Sequence, residues 1–243
     1  MAERCPACLH DTAQFSFEKM GYRFSRCSDC DFLFASPYPS EREIAAFYNA
    51  NYLGASEDHY PKIASRKRRA WVKSIRFIPY LIGRDAIDLG CGPGAMAHAF
   101  SRWGARASGL DINESGIAYA RKHFPGCTFY CETFAQFRKR GLTFDFVFST
   151  DVLEHLAGPA EFMATLAAIT RPGGHVYIAA PDSGHAAVPR DISQWSDVSP
   201  PAHLQFFNRR NIEILFARYG FVLKRADRKR TPAHSLIFVR SAA

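Results

Sequence analysis

Four of the seven cysteines fall in two close pairs near the start of the chain, a spacing typical of a metal site. Each Cys-x-x-Cys pair offers two thiolates from one turn, and two pairs complete the tetrahedral all-sulfur set that zinc prefers. Disulfides are disfavoured in the cytosolic chain inferred below. Redox pairs usually open a helix in a βαβ unit, and neither pair does. We therefore predict a closed, structural zinc site with the ligands Cys5, Cys8, Cys27 and Cys30.

The residues between the two pairs alternate like a short hairpin that turns near Met20 and Gly21. Zinc would hold together a module, residues 1–36, that is too small to have a core of its own. Leu9 and Asp31 follow the second cysteine of each pair, where glycine is common. Because leucine tolerates a left-handed backbone poorly, we expect strain in the first turn. The remaining cysteines are interpreted as small buried or loop residues.

A glycine-rich stretch, DLGCGPGA at residues 88–95, is the second chemical signal. Gly90, Gly92 and Gly94 allow the backbone to approach a ligand closely. Asp111 lies 21 residues after Gly90, at the end of the next predicted strand, where a carboxylate can accept both hydroxyls of a ribose. This pattern serves a dinucleotide and S-adenosylmethionine equally, because both carry an adenosine ribose.

Two neighbouring residues distinguish these ligands. Asp88 stands two residues before the first glycine, where it would repel a pyrophosphate but hold the ammonium group of S-adenosylmethionine. Pro93 removes one of the N–H groups that a pyrophosphate would use. We therefore favour S-adenosylmethionine over a dinucleotide.

Histidine and glutamate side chains in two predicted loops are candidates for acid–base chemistry. His155 lies just past the fourth strand of the domain and is the best-placed base, with Glu154 available to orient it or to bind substrate and Asp151 nearby. His203 lies in a long irregular segment, residues 182–208, of the kind that is usually functional or disordered. The alternative for both histidines is a structural role. We also expect Trp195, Phe206 and Phe207 to line the acceptor pocket.

From residue 84 the sequence alternates apolar strands with helices, a pattern that predicts a parallel sheet covered on both faces. Before it, Pro37 and Pro39 mark a linker, and the capping box of Ser40 and Glu43 opens a helix. Residues 37–80 are thus predicted to form a helical linker, which packs between domains or covers the pocket as a lid. Its basic part, residues 65–77, is predicted to be a helix with Trp71, Ile75 and Ile78 on one face, because their spacing follows the helical period. The catalytic domain is assigned to residues 81–243.

The chain has 243 residues and a formal net charge of +8, spread over both halves. No apolar run is long enough for a membrane helix, and the N-terminus has no secretory signal, so we expect a soluble cytoplasmic protein without a membrane partner. The positive charge permits an anionic or phosphate-bearing substrate. A solvated helix flank explains the basic run better than a nucleic-acid patch does.

The sequence resembles a known family over residues 84–243. The segments DLGCGPG, GLDIN, FDFVFSTDVLEHL, RPGGHVYIAAPD and HLQFFNRRNIEILFARYGF match, in order and spacing, the class I S-adenosylmethionine-dependent methyltransferases. Together with the cysteine module, the chain looks like the zinc-ribbon methyltransferases of bacterial sugar, polysaccharide and natural-product pathways. The resemblance implies a Rossmann-like seven-stranded α/β sheet of order 3-2-1-4-5-7-6, with strand 7 antiparallel.

The resemblance also implies roles for individual residues. The three glycines would line the cofactor, Asp88 would face its amino group, and Asp111 would bind the ribose. The adenine would lie beside Ile112, Thr133 and Phe134. The methionine part of the cofactor would face Ser149 and Thr150. Some relatives that methylate quinol or catechol hydroxyls bind a divalent ion after the fourth strand, so the resemblance leaves a Mg²⁺ site open.

The sequence thus predicts transfer of a methyl group from S-adenosylmethionine to a small molecule, with oxygen slightly favoured as the acceptor atom. One alternative is an RNA-associated zinc-ribbon methyltransferase or nucleic-acid-binding protein, in which the ribbon and the basic helix grip RNA. Against it, the ribbon hairpin carries no dense stripe of Lys and Arg. An NAD-dependent oxidoreductase is the third and weakest alternative.

Overall fold

The computed structural model describes residues 2–40, 42–44, 60 and 62–242. By its internal contacts the chain forms two compact units. The first comprises residues 1–53, 151–163 and 178–237, and the second comprises residues 54–150, 164–177 and 238–243. The division at residues 36 and 80 stays a prediction. The helix predicted from residue 40 is described only at 42–44, and the rest of the predicted linker up to residue 59 lies outside the described residues.

The cysteine-bearing part of the first unit contains a four-stranded antiparallel sheet. Strand β1 (Ala13–Lys19) pairs with β2 (Tyr22–Cys27), β2 with β3 (Leu33–Ala35), and β3 with β9 (Gln205–Phe206). Met20 and Gly21, with φ of 52° and 80°, form the predicted hairpin turn. Leu9 and Asp31 have φ of 69° and 64°, so the left-handed backbone expected after each cysteine pair is present.

The second sheet has seven strands in the order β10-β11-β8-β7-β4-β5-β6. Numbered from β4 as strand 1, this is the predicted order 3-2-1-4-5-7-6, which is therefore confirmed. β4 pairs in parallel with β5 and β7, and β5 with β6. The strands are β4 (Asp85–Leu89), β5 (Arg106–Asp111), β6 (Thr128–Cys131), β7 (Phe144–Thr150), β8 (Thr170–Ala179), β10 (Phe221–Ala226) and β11 (Leu236–Arg240).

Six α-helices are described in full: α1 (Ile63–Ser74), α2 (Ala95–Arg102), α3 (Glu114–His123), α4 (Phe134–Arg138), α5 (Ala160–Ile169) and α6 (Arg209–Ala217). Asparagine caps begin two of them, because the side chain of Asn113 accepts from the Gly116 amide and that of Asn208 from the Asn211 amide. A 3₁₀ helix, Ile75–Tyr80, continues α1.

The buried face of α1 is formed by small side chains. Trp71 and Ile75 are exposed, at 40% and 49%, whereas Ala70, Ser74 and Phe77 are buried. Two small side chains let the helix approach closely, and Phe77 packs against Phe100, Phe146, Phe148 and Tyr177 in the aromatic core of the second unit.

Candidate functional site

The glycine-rich loop follows β4 in the second unit and has a buried carboxyl group at its start. Asp88 is the fourth residue of β4 and only 5% exposed. Burial raises the pKa of this carboxyl well above its ordinary value, while the charge of Lys73 lowers it and that of Asp111 raises it further. A bound cation near Asp88 would favour its ionised form. An ammonium group is therefore the kind of ligand that this position suits.

Asp111 ends β5 and connects that strand to the loop after β4. Its Oδ2 accepts from the Gly92 amide at 2.7 Å, and its Oδ1 accepts from the Asn113 amide at 2.8 Å. Burial raises the pKa of Asp111, and these backbone N–H groups counteract part of the rise. Each oxygen retains a second lone pair, so the oriented carboxylate can still accept from a pair of hydroxyls.

The glycines of the loop play different parts, although all three have positive φ. A Cβ added to Gly94 would lie 2.7 Å from the Phe129 ring and 2.9 Å from Ala120, so this glycine allows close packing between helix and strand. A Cβ on Gly92 would meet nothing within 4 Å. The open backbone beside the Asp111 carboxylate is therefore at Gly92, and a ligand can approach there.

The other predicted cofactor residues occupy varied surroundings. Ile112 is 70% exposed, which leaves its side chain available to a flat ring. Thr133 begins α4 as its cap and accepts from the Gln136 amide, next to the half-buried Phe134. Ser149 is buried and its hydroxyl donates to the Leu89 carbonyl at 3.2 Å, which ties β7 to β4, and Thr150 is the last residue of β7. Their contacts with a cofactor stay predictions.

The four cysteines of the two pairs lie together in the first unit. Their sulfur atoms all lie within 4.8 Å of one another, and the Cys5–Cys30 and Cys8–Cys27 sulfurs are 3.6 Å and 3.7 Å apart. Sulfurs bound at ~2.3 Å around a tetrahedral zinc ion would be about 3.8 Å apart. The four thiols therefore fit one zinc ion. The hydroxyl of Thr12, which sequence reasoning missed, lies 3.2 Å from the Cys27 sulfur.

The first unit also brings together the three predicted catalytic residues. Atoms of Glu154, His155 and His203 that could serve as metal ligands lie within 4.8 Å of one another. Each histidine is held by a backbone carbonyl: Nδ1 of His155 lies 2.7 Å from the oxygen of Ala202, and Nδ1 of His203 lies 2.8 Å from that of Asp197. Because a carbonyl only accepts, both Nδ1 atoms carry a proton, and in the neutral imidazole the lone pair is then at Nε2.

Burial shifts the charge states within this group. Glu154 is 1% exposed, and burial raises its pKa to about 8. Burial, and then the neighbouring His203, lower the pKa of His155 to about 4. Oε2 of Glu154 is the one fully buried side-chain nitrogen or oxygen atom without a hydrogen-bond partner in the described part of the chain. An unpartnered carboxyl oxygen beside two imidazole rings is suited to the hydroxyl of a substrate, and a cation bound here would favour the ionised form of Glu154.

This donor set also indicates which cation fits. Imidazole nitrogens suit Zn²⁺ or Fe²⁺, whereas Mg²⁺ prefers ligands that are all oxygen. Glu154, His155 and His203 therefore fit a transition metal better than the Mg²⁺ that the resemblance leaves open.

The aromatic residues expected to line an acceptor pocket are buried instead. Trp195 is 4% exposed, and Phe206 and Phe207 are inaccessible. Trp195 and Phe206 belong to the apolar cluster around Phe24 in the first unit, and Phe207 packs on Phe32 at 4.9 Å between ring centroids. That prediction was therefore wrong: these rings form the core that holds the cysteine-bearing sheet in place.

No helix among the described residues is both long and apolar enough to cross a bilayer.

The sequence matches known methyltransferases. A family model described as a methyltransferase domain matches residues 60–225. A ubiquinone biosynthesis O-methyltransferase of Rhodopseudomonas palustris is 34% identical over 115 residues, which cover 46% of this chain and 45% of that protein. The chain spans about half the length of the first curated relatives it matches.

Solved structures show the same fold at low sequence identity. An S-adenosylmethionine-dependent methyltransferase from Mesorhizobium loti has a TM-score of 0.59 and 20% identity, with 70% of this chain and 98% of that chain covered. A 1,6-didemethyltoxoflavin-N1-methyltransferase of Burkholderia thailandensis, with 1,6-didemethyltoxoflavin and S-adenosylhomocysteine bound, has a TM-score of 0.59 and 15% identity over 95% of this chain and 100% of that chain. The chain therefore belongs to the methyltransferase-domain family and has the Rossmann-like fold of the S-adenosylmethionine-dependent enzymes.

Proposed function

We propose that the protein transfers a methyl group from S-adenosylmethionine to a small-molecule acceptor, with an oxygen atom as the favoured methyl acceptor. The observation that carries this proposal is the Asp111 carboxylate, which is fixed to the Gly92 amide at 2.7 Å beside an open stretch of glycine backbone. Within a methyltransferase-family chain, this arrangement suits the ribose of the methyl donor.

The donor would be held by residues of the second unit. Asp111 would accept from its ribose hydroxyls, Asp88 would face its ammonium group, and the backbone of Gly90 and Gly92 would border it. The side chains proposed next to the adenine and the methionine part are Ile112, Thr133, Phe134, Ser149 and Thr150. When bound, S-adenosylmethionine would supply a methyl group on a sulfonium: the acceptor lone pair would bond to the methyl carbon as the sulfur–carbon bond breaks and S-adenosylhomocysteine leaves.

The acceptor would be bound by Glu154 and deprotonated by His155 or His203. The Nε2 lone pairs of the two histidines can accept the proton of a hydroxyl, because each Nδ1 is already occupied by its bond to a backbone carbonyl. If a divalent cation binds here, the same three side chains would hold it, and it would lower the pKa of a coordinated hydroxyl. Proton uptake by a histidine and coordination to a cation both activate a hydroxyl, so oxygen is the favoured methyl acceptor. The ubiquinone O-methyltransferase relatives support an oxygen acceptor.

The acceptor class proposed is a sugar, a polysaccharide precursor or a natural product of similar size. The N-terminal cysteine module supports this class through its resemblance to zinc-ribbon methyltransferases. The net charge of +8 permits an acidic acceptor. Zinc bound by Cys5, Cys8, Cys27 and Cys30 is proposed as structural, and the cytoplasm is the proposed compartment.

Methylation of RNA is a second candidate because of the basic segment at residues 62–84, which holds eight Lys and Arg and no acidic residue. Several of these cations lie over rings of the protein: Arg66 over Tyr60, Lys67 over Phe124 and Lys73 over Phe148, at 5.5, 5.4 and 5.1 Å from the ring centroids. Such contacts give these side chains a packing role within the protein, and we therefore favour the small-molecule acceptor.

The test is transfer of a radiolabelled methyl group from S-adenosylmethionine, with the zinc-loaded protein, to panels of catechols and quinols, nucleotide sugars, and RNA. The expected result is label in an ether of one small-molecule class, with none in RNA. Label in RNA alone would show that the second candidate is right.

A further inference from the structure

The turn that carries Glu154 is bonded to a buried glutamine in β9, within the first compact unit. Gln205 is inaccessible to solvent. Its Nε2 donates to the carbonyl of Leu153 at 2.6 Å, and its Oε1 accepts from the hydroxyl of Tyr38 at 3.1 Å. The amide of the preceding residue, Leu204, donates to the carbonyl of Glu154 at 2.8 Å. Two successive residues of one segment therefore hold two successive carbonyls of the turn.

The same segment is the fourth strand of the cysteine-bearing sheet. Gln205 pairs with Phe34 of β3, and the amide of Ala35 donates to the carbonyl of Leu204 at 2.7 Å. β3 begins three residues after Cys30, and Tyr38 follows it by three residues. Hydrogen bonds thus run without a break from the strand next to the cysteines, through Leu204 and Gln205, to the backbone of Glu154.

A glutamine is an unusual choice for this place on packing grounds alone. Its side chain is fully buried, and an aliphatic side chain would avoid the cost of removing an amide from water, a cost that its bonds to Leu153 and Tyr38 offset. Leu153–His155 is a three-residue 3₁₀ turn without a side-chain cap, and such turns are weakly held by their own bonds. The amide of Gln205 therefore supplies an orientation that the turn lacks by itself.

We propose that Gln205 is a positioning residue for the Glu154–His155–His203 group, and that the cysteine module sets the geometry of that group through β3, Tyr38 and Gln205. The functional meaning of this inference rests on the proposed role of the group in binding and deprotonating the acceptor. It gives the zinc module a part in the reaction without placing the metal at the reacting atoms.

The test compares Gln205→Met with Gln14→Met in the full-length, zinc-loaded protein. Gln14 lies in β1 of the same sheet with its side chain exposed, so the control makes the same chemical change away from the turn. The readout is the ring-nitrogen NMR spectrum of His155, which reports the tautomer that the Ala202 carbonyl fixes. We expect one tautomer in the wild type and in Gln14→Met, and a mixture in Gln205→Met.

A titration with S-adenosylhomocysteine separates positioning from general damage. The affinity of Gln205→Met for this probe should stay within about twofold of wild type, because the donor-site residues lie in the other unit. If the wild type itself does not bind the probe, the proposed function fails, and the NMR comparison still decides whether Gln205 orients the turn.

A milder variant covers the case in which Gln205→Met does not fold. Tyr38→Phe removes only the hydroxyl that bonds to Gln205, and it should mix the His155 tautomers in the same direction but less. A wild-type His155 spectrum in a folded Gln205→Met protein would overturn the proposal. An unfolded Gln205→Met combined with an unchanged spectrum in Tyr38→Phe would also overturn it.

Discussion

The carboxylate of Asp111 accepts a hydrogen bond from the backbone amide of Gly92, with 2.7 Å between oxygen and nitrogen. The bond joins the end of one strand to the loop that follows its neighbour. A second bond, from the Asn113 amide, fixes the other oxygen. The carboxylate is therefore oriented before any ligand arrives, which lowers the entropy lost when a ribose binds.

Substitution of two loop glycines should separate packing from ligand binding. Gly94→Ala places a Cβ 2.7 Å from Phe129, so it should destabilise the protein by about 3 kcal/mol through overpacking and an unfavourable φ. Gly92→Ala meets no neighbour and should cost only about 1 kcal/mol, but it should weaken donor binding. Urea unfolding and calorimetry with S-adenosylhomocysteine measure the two effects. Equal losses of stability would contradict this division of roles.

Glu154→Gln tests the acceptor group without changing its shape. The amide can neither bind a cation well nor act as a carboxylate, so methyl transfer should slow by about 100-fold, while donor affinity stays unchanged. Stability should hold or rise, because burial raises the pKa of Glu154 to about 8 and so lowers the free energy of unfolding above the ordinary pKa of a glutamate, a loss that the amide avoids. Glu213→Gln, at an exposed ion pair with Arg209, is the matched control and should retain full activity. Equal activity in both variants would remove Glu154 from the reaction.

The four thiols should bind one zinc ion per chain. Elemental analysis of Cys5→Ser should show loss of zinc, and its melting temperature should fall, because the metal replaces a core that the module lacks. Cys127→Ser changes a half-buried cysteine of the second unit and should retain the zinc. If Cys5→Ser and Cys127→Ser contained the same amount of zinc, the four-thiol cluster would not be the zinc site.

Buried His234 should make the protein less stable in mild acid. Its Nε2 lies 3.0 Å from the Phe207 carbonyl, and burial lowers its pKa below 6.5. The folded state therefore binds fewer protons than the unfolded state as pH falls through 6.5, and stability decreases there by up to about 1.4 kcal/mol per pH unit. His234→Gln should flatten this part of the curve of unfolding free energy against pH. A curve unchanged by His234→Gln would count against the assignment.

Much of the fold could be predicted because strong local signals agreed with one another. The apolar strands from residue 84 indicated the sheet, and the cysteine spacing indicated a compact four-thiol cluster. The packing of α1 could not be predicted in this way. Its buried positions include Ala70 and Ser74, whose size matters more than their hydropathy, while the larger Trp71 stacks on Trp103 at 4.5 Å and stays 40% exposed.

In the candidate site, too, some residues could be predicted from the sequence and others could not. His155 and His203 lie 48 positions apart in the sequence, yet their ring centroids are 4.7 Å apart, as a shared catalytic role requires. Gln205 and Tyr38 gave no signal, because a single glutamine beside two phenylalanines resembles an ordinary strand residue. Their contribution depends on pairing between β3 and β9, which are about 170 residues apart, and no local pattern encodes such a contact.

Binding of the methyl donor is tested most directly by calorimetric titration of S-adenosylmethionine into the zinc-loaded protein, alongside the Asp111→Asn variant. We expect saturable binding by the wild type with a Kd between about 1 μM and 1 mM. Asp111→Asn should bind at least about tenfold more weakly, because one of the two acceptor oxygens for the ribose is lost. Absence of binding at millimolar donor, or equal affinity in the variant, would contradict the proposed function.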